Sequence, residues 1–191
     1  RMRLRLDDGE VDPEVREGLD HDIEEMRLLL DSIQAYVDTG GVNIPAERIN
    51  LAVMAETLVD TAADRGADAT YSGLSSLEIM ARPVSIRRAL SNLIENALHY
   101  GGNVRVSLRR DGGAAEITVD DDGPGIPEDR ITDALQPFVR LDSSRARDTA
   151  GMGLGLPIVR KAVRLEGGTL DLRNRAEGGL RATIRLPLEP A

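Results

Sequence analysis

After Pro45 the apolar residues follow a succession of helical and alternating patterns, and this succession constrains the fold most strongly. Apolar spacing of three and four predicts helices over residues 52–64, 83–99 and 155–166. Alternation predicts strands over residues 49–51, 69–71, 77–81, 104–109, 115–119, 170–173 and 182–186, with a loop over 120–153. We therefore expect an α+β domain, a two-layer sandwich with helices on one face of a mixed sheet.

The composition excludes several kinds of site. The chain has no Cys and two His, so disulfide frameworks, thiolate metal sites and histidine-rich zinc sites are excluded, and any metal needs oxygen ligands. A net charge of −9, from 24 Lys and Arg against 33 Asp and Glu, argues against nucleic acid as a partner. No apolar run approaches the ~20 residues of a membrane span, so we expect a soluble chain.

Residues 1–38 show a separate pattern. Apolar residues from Val15 to Val37 are spaced 4, 4, 3, 4, 3 and 4, which is a heptad seam with charged flanks. Packing against the rest of the chain is one interpretation; we favour a helical hairpin that forms a bundle with a second copy. The Gly- and Pro-containing segment 39–47 is then a linker, and 48–191 is the second domain.

Asn92 and Asn96 lie four residues apart in the predicted helix 83–99, so they share one face. The buried stripe of that helix is formed by other residues, including Ile86 and Leu90. Asn is a mediocre helix former, so the pair indicates a ligand or ion that binds amide oxygens. Two solvated surface residues are the alternative.

Residues 116–125 (EITVDDDGPG) leave a strand and enter a bend that contains Gly123 and Gly125. Glycine lets backbone approach a ligand closely, and a carboxylate at a strand end can accept a hydrogen bond from an exocyclic amine. An ordinary hairpin turn would also fit this segment alone.

Glycine is repeated in residues 151–157 (GMGLGLP), directly before a predicted helix. Free N–H groups at a helix N-terminus favour an anion such as phosphate. The segment is not a Walker A loop, since no Lys-Ser/Thr follows, and it is not a dinucleotide fingerprint, since no strand precedes it.

In this order, the segments resemble the N, G1 and G2 boxes of the ATP-binding (Bergerat-fold) domain of sensor histidine kinases. This domain belongs to the superfamily that includes gyrase, Hsp90 and MutL. The resemblance is of the EnvZ-like type and covers essentially the whole chain. The matching stretches are 92–97 (NLIENA), 121–125 (DDGPG), 136–140 (QPFVR) and 151–156 (GMGLGL).

The resemblance implies ATP and Mg²⁺ as cofactors and a role for each matching residue. Asn96 is expected to hold Mg²⁺ with Asn92 beside the phosphates, and Asp121 to recognise the adenine amino group. Around the purine, phosphates and lid, the implied cofactor-binding residues are His99, Tyr100, Gly123, Gly125, Ile126, Phe138, Arg140, Gly151, Gly153, Leu154, Gly155 and Leu156. The lid over 126–150 is expected to become ordered when ATP binds.

The family's phospho-acceptor histidine precedes the segment that matches this chain, and neither His21 nor His99 has its motif context. The resemblance therefore implies that these 191 residues bind Mg-ATP without autophosphorylation. It also implies a homodimer through the hairpin and a response regulator receiver domain as partner. The chain is expected to be cytoplasmic, with the parent protein in the bacterial inner membrane through segments outside this sequence.

Two further alternatives concern the chemistry. Superfamily members that hydrolyse ATP have a Glu where this chain has Asn92, and Glu95 projects ~100° away from Asn96 around a helix. The missing base favours phosphoryl transfer to a protein side chain over hydrolysis. The other alternative is a dimerising module that docks a response regulator with little catalysis, and it predicts no nucleotide affinity.

Overall fold

The structure is a computed structural model that describes residues 44–140 and 153–188, together with four helical residues, Gly18, Leu19, Ile23 and Met26. Most of the predicted hairpin and of the linker, Gly151 and part of the lid lie outside the described residues. The proposed domain boundaries therefore stay a prediction. Within the described ranges, no helix is both long enough and apolar enough to cross a membrane.

The predicted strands and three predicted helices follow one another along the chain in the expected order. The strands are β1 Glu47–Asn50, β2 Asp68–Gly73, β3 Glu78–Ala81, β4 Asn103–Asp111, β5 Ala114–Asp120, β6 Thr169–Asn174 and β7 Leu180–Pro187. The helices are α1 Leu51–Asp64, α2 Pro83–Gly101, α3 Ile131–Ala134 and α4 Gly155–Leu165, with a 3-10 turn at Glu128–Arg130.

Five strands form one mixed sheet in the order β2-β4-β5-β7-β6, and β1 pairs with β3 in a separate antiparallel ladder. The pair β2 and β4 is parallel, while the other neighbours in the large sheet are antiparallel. Apolar residues pair across the sheet, as at Val106 with Val119 and Ile117 with Ile184, and all four are buried. The predicted α+β sandwich is confirmed.

Helices α2 and α4 cover the apolar face of the sheet, and they approach each other closely. Ser85 in α2 is fully buried and donates its Oγ hydrogen to the carbonyl of Ala162 in α4 (3.3 Å). Leu90 and Val159 are also fully buried, so this helix pair forms part of the core. Gly102, a left-handed residue whose N–H donates to the Leu98 carbonyl (3.0 Å), caps the end of α2.

Three predictions of local structure need correction. The strand predicted at residues 49–51 ends at Asn50, because that residue caps α1 and Leu51 already belongs to the helix. Helix α2 runs two residues beyond His99, to Gly101. The predicted loop after Asp120 contains the 3-10 turn and α3, since Ala134 is buried and gives this short helix an apolar anchor.

Asn50→Ala is expected to lower the free energy of unfolding by about 1–2 kcal/mol, because Asn50 caps α1 and also connects it to Leu77, directly before β3. Its Oδ1 accepts hydrogen bonds from the N–H groups of Ala52 (3.2 Å), Val53 (3.3 Å) and Leu77 (3.2 Å). Asn50→Asp keeps the acceptor and serves as the control in urea denaturation. Equal losses in the two variants would contradict the capping role.

Candidate functional site

A cavity of about 630 Å³ opens between α2, the bend after β5 and the start of α4. Asn96, Asp121 and Gly153 come from three separate segments of the sequence, and all three line this cavity. The lining of the cavity includes apolar residues, such as Val119 and Ile158, as well as polar ones. A ligand with an apolar ring and a charged tail would match such a lining.

Most residues that the sequence predicted for the site line this cavity: Asn92, Asn96, His99, Tyr100, Asp121, Gly125, Ile126, Arg140, Gly153, Leu154, Gly155 and Leu156. Gly123 and Phe138 do not line it, and Gly151 lies outside the described residues. Two charged residues that were not predicted for the site, Glu95 and Arg130, are part of its wall.

Asn92 and Asn96 lie against the glycine segment. The Cβ of an alanine at Gly155 would lie 3.0 Å from Asn96 Nδ2 and 3.4 Å from Asn92 Oδ1. Asn92 donates through Nδ2 to the Arg88 carbonyl (2.9 Å), which orients its amide. Among the described residues the Asn96 side chain has no hydrogen-bond partner, so its amide oxygen is available to a ligand or cation.

Helix α4 begins at the cavity. Leu154 precedes it, no side chain caps its first turn within the described chain, and the Leu154 carbonyl accepts from the Ile158 N–H (2.9 Å). Gly155 and Leu156, the first two residues of the helix, line the cavity. An uncapped N-terminus has free N–H groups and the positive end of the helix dipole, which is an arrangement that binds phosphate.

Gly153 fixes the approach of the lid to this helix. Its φ is +68°, and an added Cβ would overlap the Val139 carbonyl oxygen and lie 2.9 Å from the carbonyl carbon. The Phe138 N–H donates to the Gly153 carbonyl (3.2 Å), which joins both sides of the lid at its base. Phe138 itself has a φ of +65°, is 61% exposed and does not line the cavity.

Asp121 is 7% exposed and its carboxylate is held in one orientation. Oδ1 accepts hydrogen bonds from the N–H groups of Gly123 (2.8 Å) and Leu180 (3.1 Å). The Asp121 N–H donates to the Leu180 carbonyl (3.0 Å). In the described part of the chain Oδ2 accepts no hydrogen bond, so the cavity wall carries one fixed acceptor that suits an amine donor.

The neighbouring Asp122 has a different role, because it does not line the cavity and its carboxylate is saturated by donors. Arg105 forms a bidentate pair with it, while Asn103 Nδ2 and Arg175 Nη1 donate at 2.5 and 2.6 Å. Hydrogen bonds from Arg105, then Asn103 and Arg175, hold the pKa of Asp122 well below its usual range. This carboxylate anchors the bend and is not free to bind a ligand.

The glycines of the bend are required by contacts within the protein. A Cβ at Gly123 would lie 2.9 Å from the Tyr100 carbonyl oxygen, and one at Gly101 would lie 2.7 Å from Asp121 Cβ. These contacts place the end of α2 directly on the bend. At Gly125, where φ is +72°, a Cβ would overlap Asn174 Oδ1. The packing of α2 thus gives a structural reason for glycine at position 123, while the expected close approach of a purine stays a prediction.

His99 and Tyr100 form part of the cavity wall at the end of α2. Their rings meet edge to face with centroids 4.7 Å apart, and Tyr100 is 47% exposed. Glu95 also lines the cavity, next to Asn96 in the sequence of α2. Desolvation raises the pKa of the Glu95 carboxyl, with Arg65 opposing this effect, while the side chain keeps an exposed side.

Sequence reasoning did not identify Asn174, the last residue of β6, and Arg175, the residue after it, which both contact the bend. Arg175 donates to the Asp121 carbonyl (2.7 Å), and Asn174 bonds with both backbone groups of Ile126. The only signal in the sequence was their position before the Gly178-Gly179 turn, where a polar pair is unremarkable.

The chain is similar to known proteins. Residues 81–190 match the family described as "Histidine kinase-, DNA gyrase B-, and HSP90-like ATPase". The sensor histidine kinase GtrS of Pseudomonas aeruginosa is 35% identical over 187 residues, which cover 98% of this chain and 38% of that protein. The chain thus spans well under half the length of this relative.

Solved structures show the same fold. The mycobacterial sensor histidine kinase MprB has a TM-score of 0.64 at 27% identity, covering 76% of this chain and 99% of that one. The histidine kinase domain of the Escherichia coli osmosensor EnvZ has a TM-score of 0.57 at 34% identity, covering 78% of this chain and 92% of that one. The family match covers more than half of the chain and confirms the resemblance drawn from the motifs. The chain belongs to the histidine kinase-, DNA gyrase B- and HSP90-like ATPase family, as a catalytic domain of the sensor histidine kinase type.

Proposed function

We propose that this chain binds Mg-ATP and supplies the kinase core of a two-component sensor. In the full-length protein the γ-phosphoryl group would pass to a histidine of the dimerisation domain and then to an aspartate of a response regulator. The observation that carries the proposal is the fixed Asp121 carboxylate, with one free acceptor oxygen, in the same cavity as Asn96 and the uncapped start of α4.

Each part of the cavity suits one part of the nucleotide. The free oxygen of Asp121 would accept a hydrogen bond from the adenine amino group, and Gly155 and Leu156 would present N–H groups to the phosphates. Arg130 and Arg140 also line the cavity and would add positive charge near the triphosphate. Such positioning and charge neutralisation are the main requirements of phosphoryl transfer.

The residues also fit a magnesium ion. Mg²⁺ prefers oxygen ligands and usually binds one or two protein groups together with phosphate oxygens and water. Asn96 provides an amide oxygen without a hydrogen-bond partner in the described chain, beside the glycines that would hold the phosphates. No group of three His, Cys, Asp or Glu side chains that could hold a metal occurs among the described residues, so Asn96 is the proposed protein ligand.

Transfer is proposed rather than hydrolysis, because Asn92 stands one helical turn before Asn96, where hydrolases of the superfamily have a Glu. An amide does not accept a proton from water. Neither His21 nor His99 is proposed as the phosphate acceptor. The proposed assembly is a homodimer through residues 1–38 that binds a response regulator at the cytoplasmic side of the membrane.

Calorimetric titration with a non-hydrolysable ATP analogue, with and without Mg²⁺, tests the proposal. The wild-type chain should bind more tightly with Mg²⁺. Asn96→Ala should lose this gain, so that its affinity with Mg²⁺ falls to the value measured without the ion, because the amide oxygen is its proposed ligand.

Arg87→Ala is the control, since Arg87 is an exposed residue of α2 that does not line the cavity. Absence of nucleotide affinity in the wild type would contradict the kinase proposal and favour a module that only docks a response regulator. An undiminished Mg²⁺ effect in Asn96→Ala would reject Asn96 as the ligand.

A further inference from the structure

The last residue of β6 and the turn that follows it hold the bend of Asp121 at both ends, although these segments are far from the bend in sequence. At one end, Asn174 Oδ1 accepts from the Ile126 N–H (2.8 Å) and Asn174 Nδ2 donates to the Ile126 carbonyl (2.7 Å), across a separation of 48 residues. This side chain therefore pairs with a backbone residue as a neighbouring strand would.

At the other end, Arg175 binds the first two residues of the bend. Its Nη1 donates to the Asp121 carbonyl (2.7 Å) and to Asp122 Oδ1 (2.6 Å). The Arg175 side chain is 15% exposed, which restricts its motion. The turn is closed on itself, because the Arg175 N–H donates to the Gly179 carbonyl (2.9 Å) and the Gly178 N–H to the Arg175 carbonyl (3.1 Å).

Between these two anchors lies the segment that would contact the base. Asp121, Gly125 and Ile126 line the cavity, whereas Asn174 and Arg175 do not. Any effect of the turn on a bound nucleotide must therefore pass through the geometry of the bend. The orientation of the Asp121 carboxylate is sensitive to that geometry, since one of its two donors, the Gly123 N–H, belongs to the bend itself.

We propose that Asn174 and Arg175 are positioning residues that set base selectivity by clamping the bend so that Asp121 presents a single fixed acceptor. This inference rests on the proposed function, because it assumes that Asp121 reads the 6-position of a purine. A loosened bend would let the carboxylate move and accept water, so discrimination between a 6-amino and a 6-oxo purine would fall while phosphate contacts at α4 remain.

The test compares Mg-ATP with Mg-inosine triphosphate, which carries a carbonyl oxygen in place of the adenine amino group. Affinities of both are measured by calorimetry for the wild type, Asn174→Ala and Arg175→Ala. The ATP preference is expected to fall about tenfold in each variant, the effect of one or two lost hydrogen bonds. The measured quantity is the ratio of the affinities for ATP and inosine triphosphate, because partial unfolding would weaken the binding of both nucleotides equally.

The controls remove neighbouring side chains that do not touch the bend. Arg173→Ala removes an exposed residue of β6, paired with Asp171, and Arg181→Ala removes an ion-pair partner that Asp120 shares with Arg175. Both should keep the wild-type ratio. An unchanged ratio in Asn174→Ala overturns the inference even if Arg175→Ala does not fold. A wild type that binds neither nucleotide overturns the proposed function instead.

Discussion

Asp121→Asn is expected to lower the affinity for Mg-ATP about a hundredfold and to remove the preference for ATP over inosine triphosphate. The carboxylate oxygen Oδ1 accepts from two backbone N–H groups, those of Gly123 and Leu180. In the variant these two donors still need an acceptor, so the amide oxygen should take the Oδ1 position. The amide NH₂ then replaces Oδ2 and presents a donor to the cavity.

The exchange of an acceptor for a donor explains the size and direction of the effect. With ATP, the variant lacks the charge-assisted hydrogen bond to the adenine amino group, and two donors face each other instead. This change weakens the binding free energy by roughly 2–4 kcal/mol. The same donor matches the oxygen of a 6-oxo purine. Affinity for inosine triphosphate should therefore be kept or improved while affinity for ATP falls.

Competition against a fluorescent ATP analogue, with both nucleotides on both proteins, measures this change. Asp171→Asn is the control, because it makes the same change of charge on an exposed β6 residue that does not line the cavity. A similar loss for ATP and inosine triphosphate in Asp121→Asn would show that the variant damaged the cavity generally. An unchanged ATP affinity would remove Asp121 from base recognition.

The elements of the fold were predictable from the sequence because their apolar periods are strong. Helix α2 shows this well: Ile86, Leu90 and Leu93 repeat at helical spacing, and all three are buried. The ends were less predictable. The boundary at Asn50 depends on a side chain that caps α1 while also binding Leu77, a contact 27 residues away that no local pattern encodes.

The residues of the site also differ in how well the sequence could predict them. Asn96, Asp121 and Gly155 stand in local patterns that are unusual for packing alone, so the sequence indicated them before their positions were known. Asn174 acts across 48 residues through a pairing that depends on how β6 lies beside the bend, and its local pattern is ordinary. Phe138 does not line the cavity in this structure, and its role beside a nucleotide stays a prediction.

In the Gly178-Gly179 turn, tertiary contacts require glycine at one of the two positions and not at the other. Both have left-handed φ values, +97° and +87°. An added Cβ at Gly178 meets nothing within 4 Å, whereas one at Gly179 would overlap the Asp121 carbonyl oxygen and lie 2.7 Å from the carbonyl carbon. The backbone of this turn therefore lies directly against the residue proposed to read the base.

Gly179→Ala is expected to lower the free energy of unfolding by about 3–5 kcal/mol, against about 1–2 kcal/mol for Gly178→Ala. Both variants bear the strain of a left-handed alanine, so the difference isolates the steric overlap with Asp121. Any Gly179→Ala protein that folds should also lose ATP affinity, because relieving the overlap requires Asp121 and the bend to move away from this turn. Urea denaturation with parallel nucleotide titration measures both effects. Equal destabilisation of the two variants would mean that the turn is not in close contact with Asp121, and the account of a fixed carboxylate would then fail.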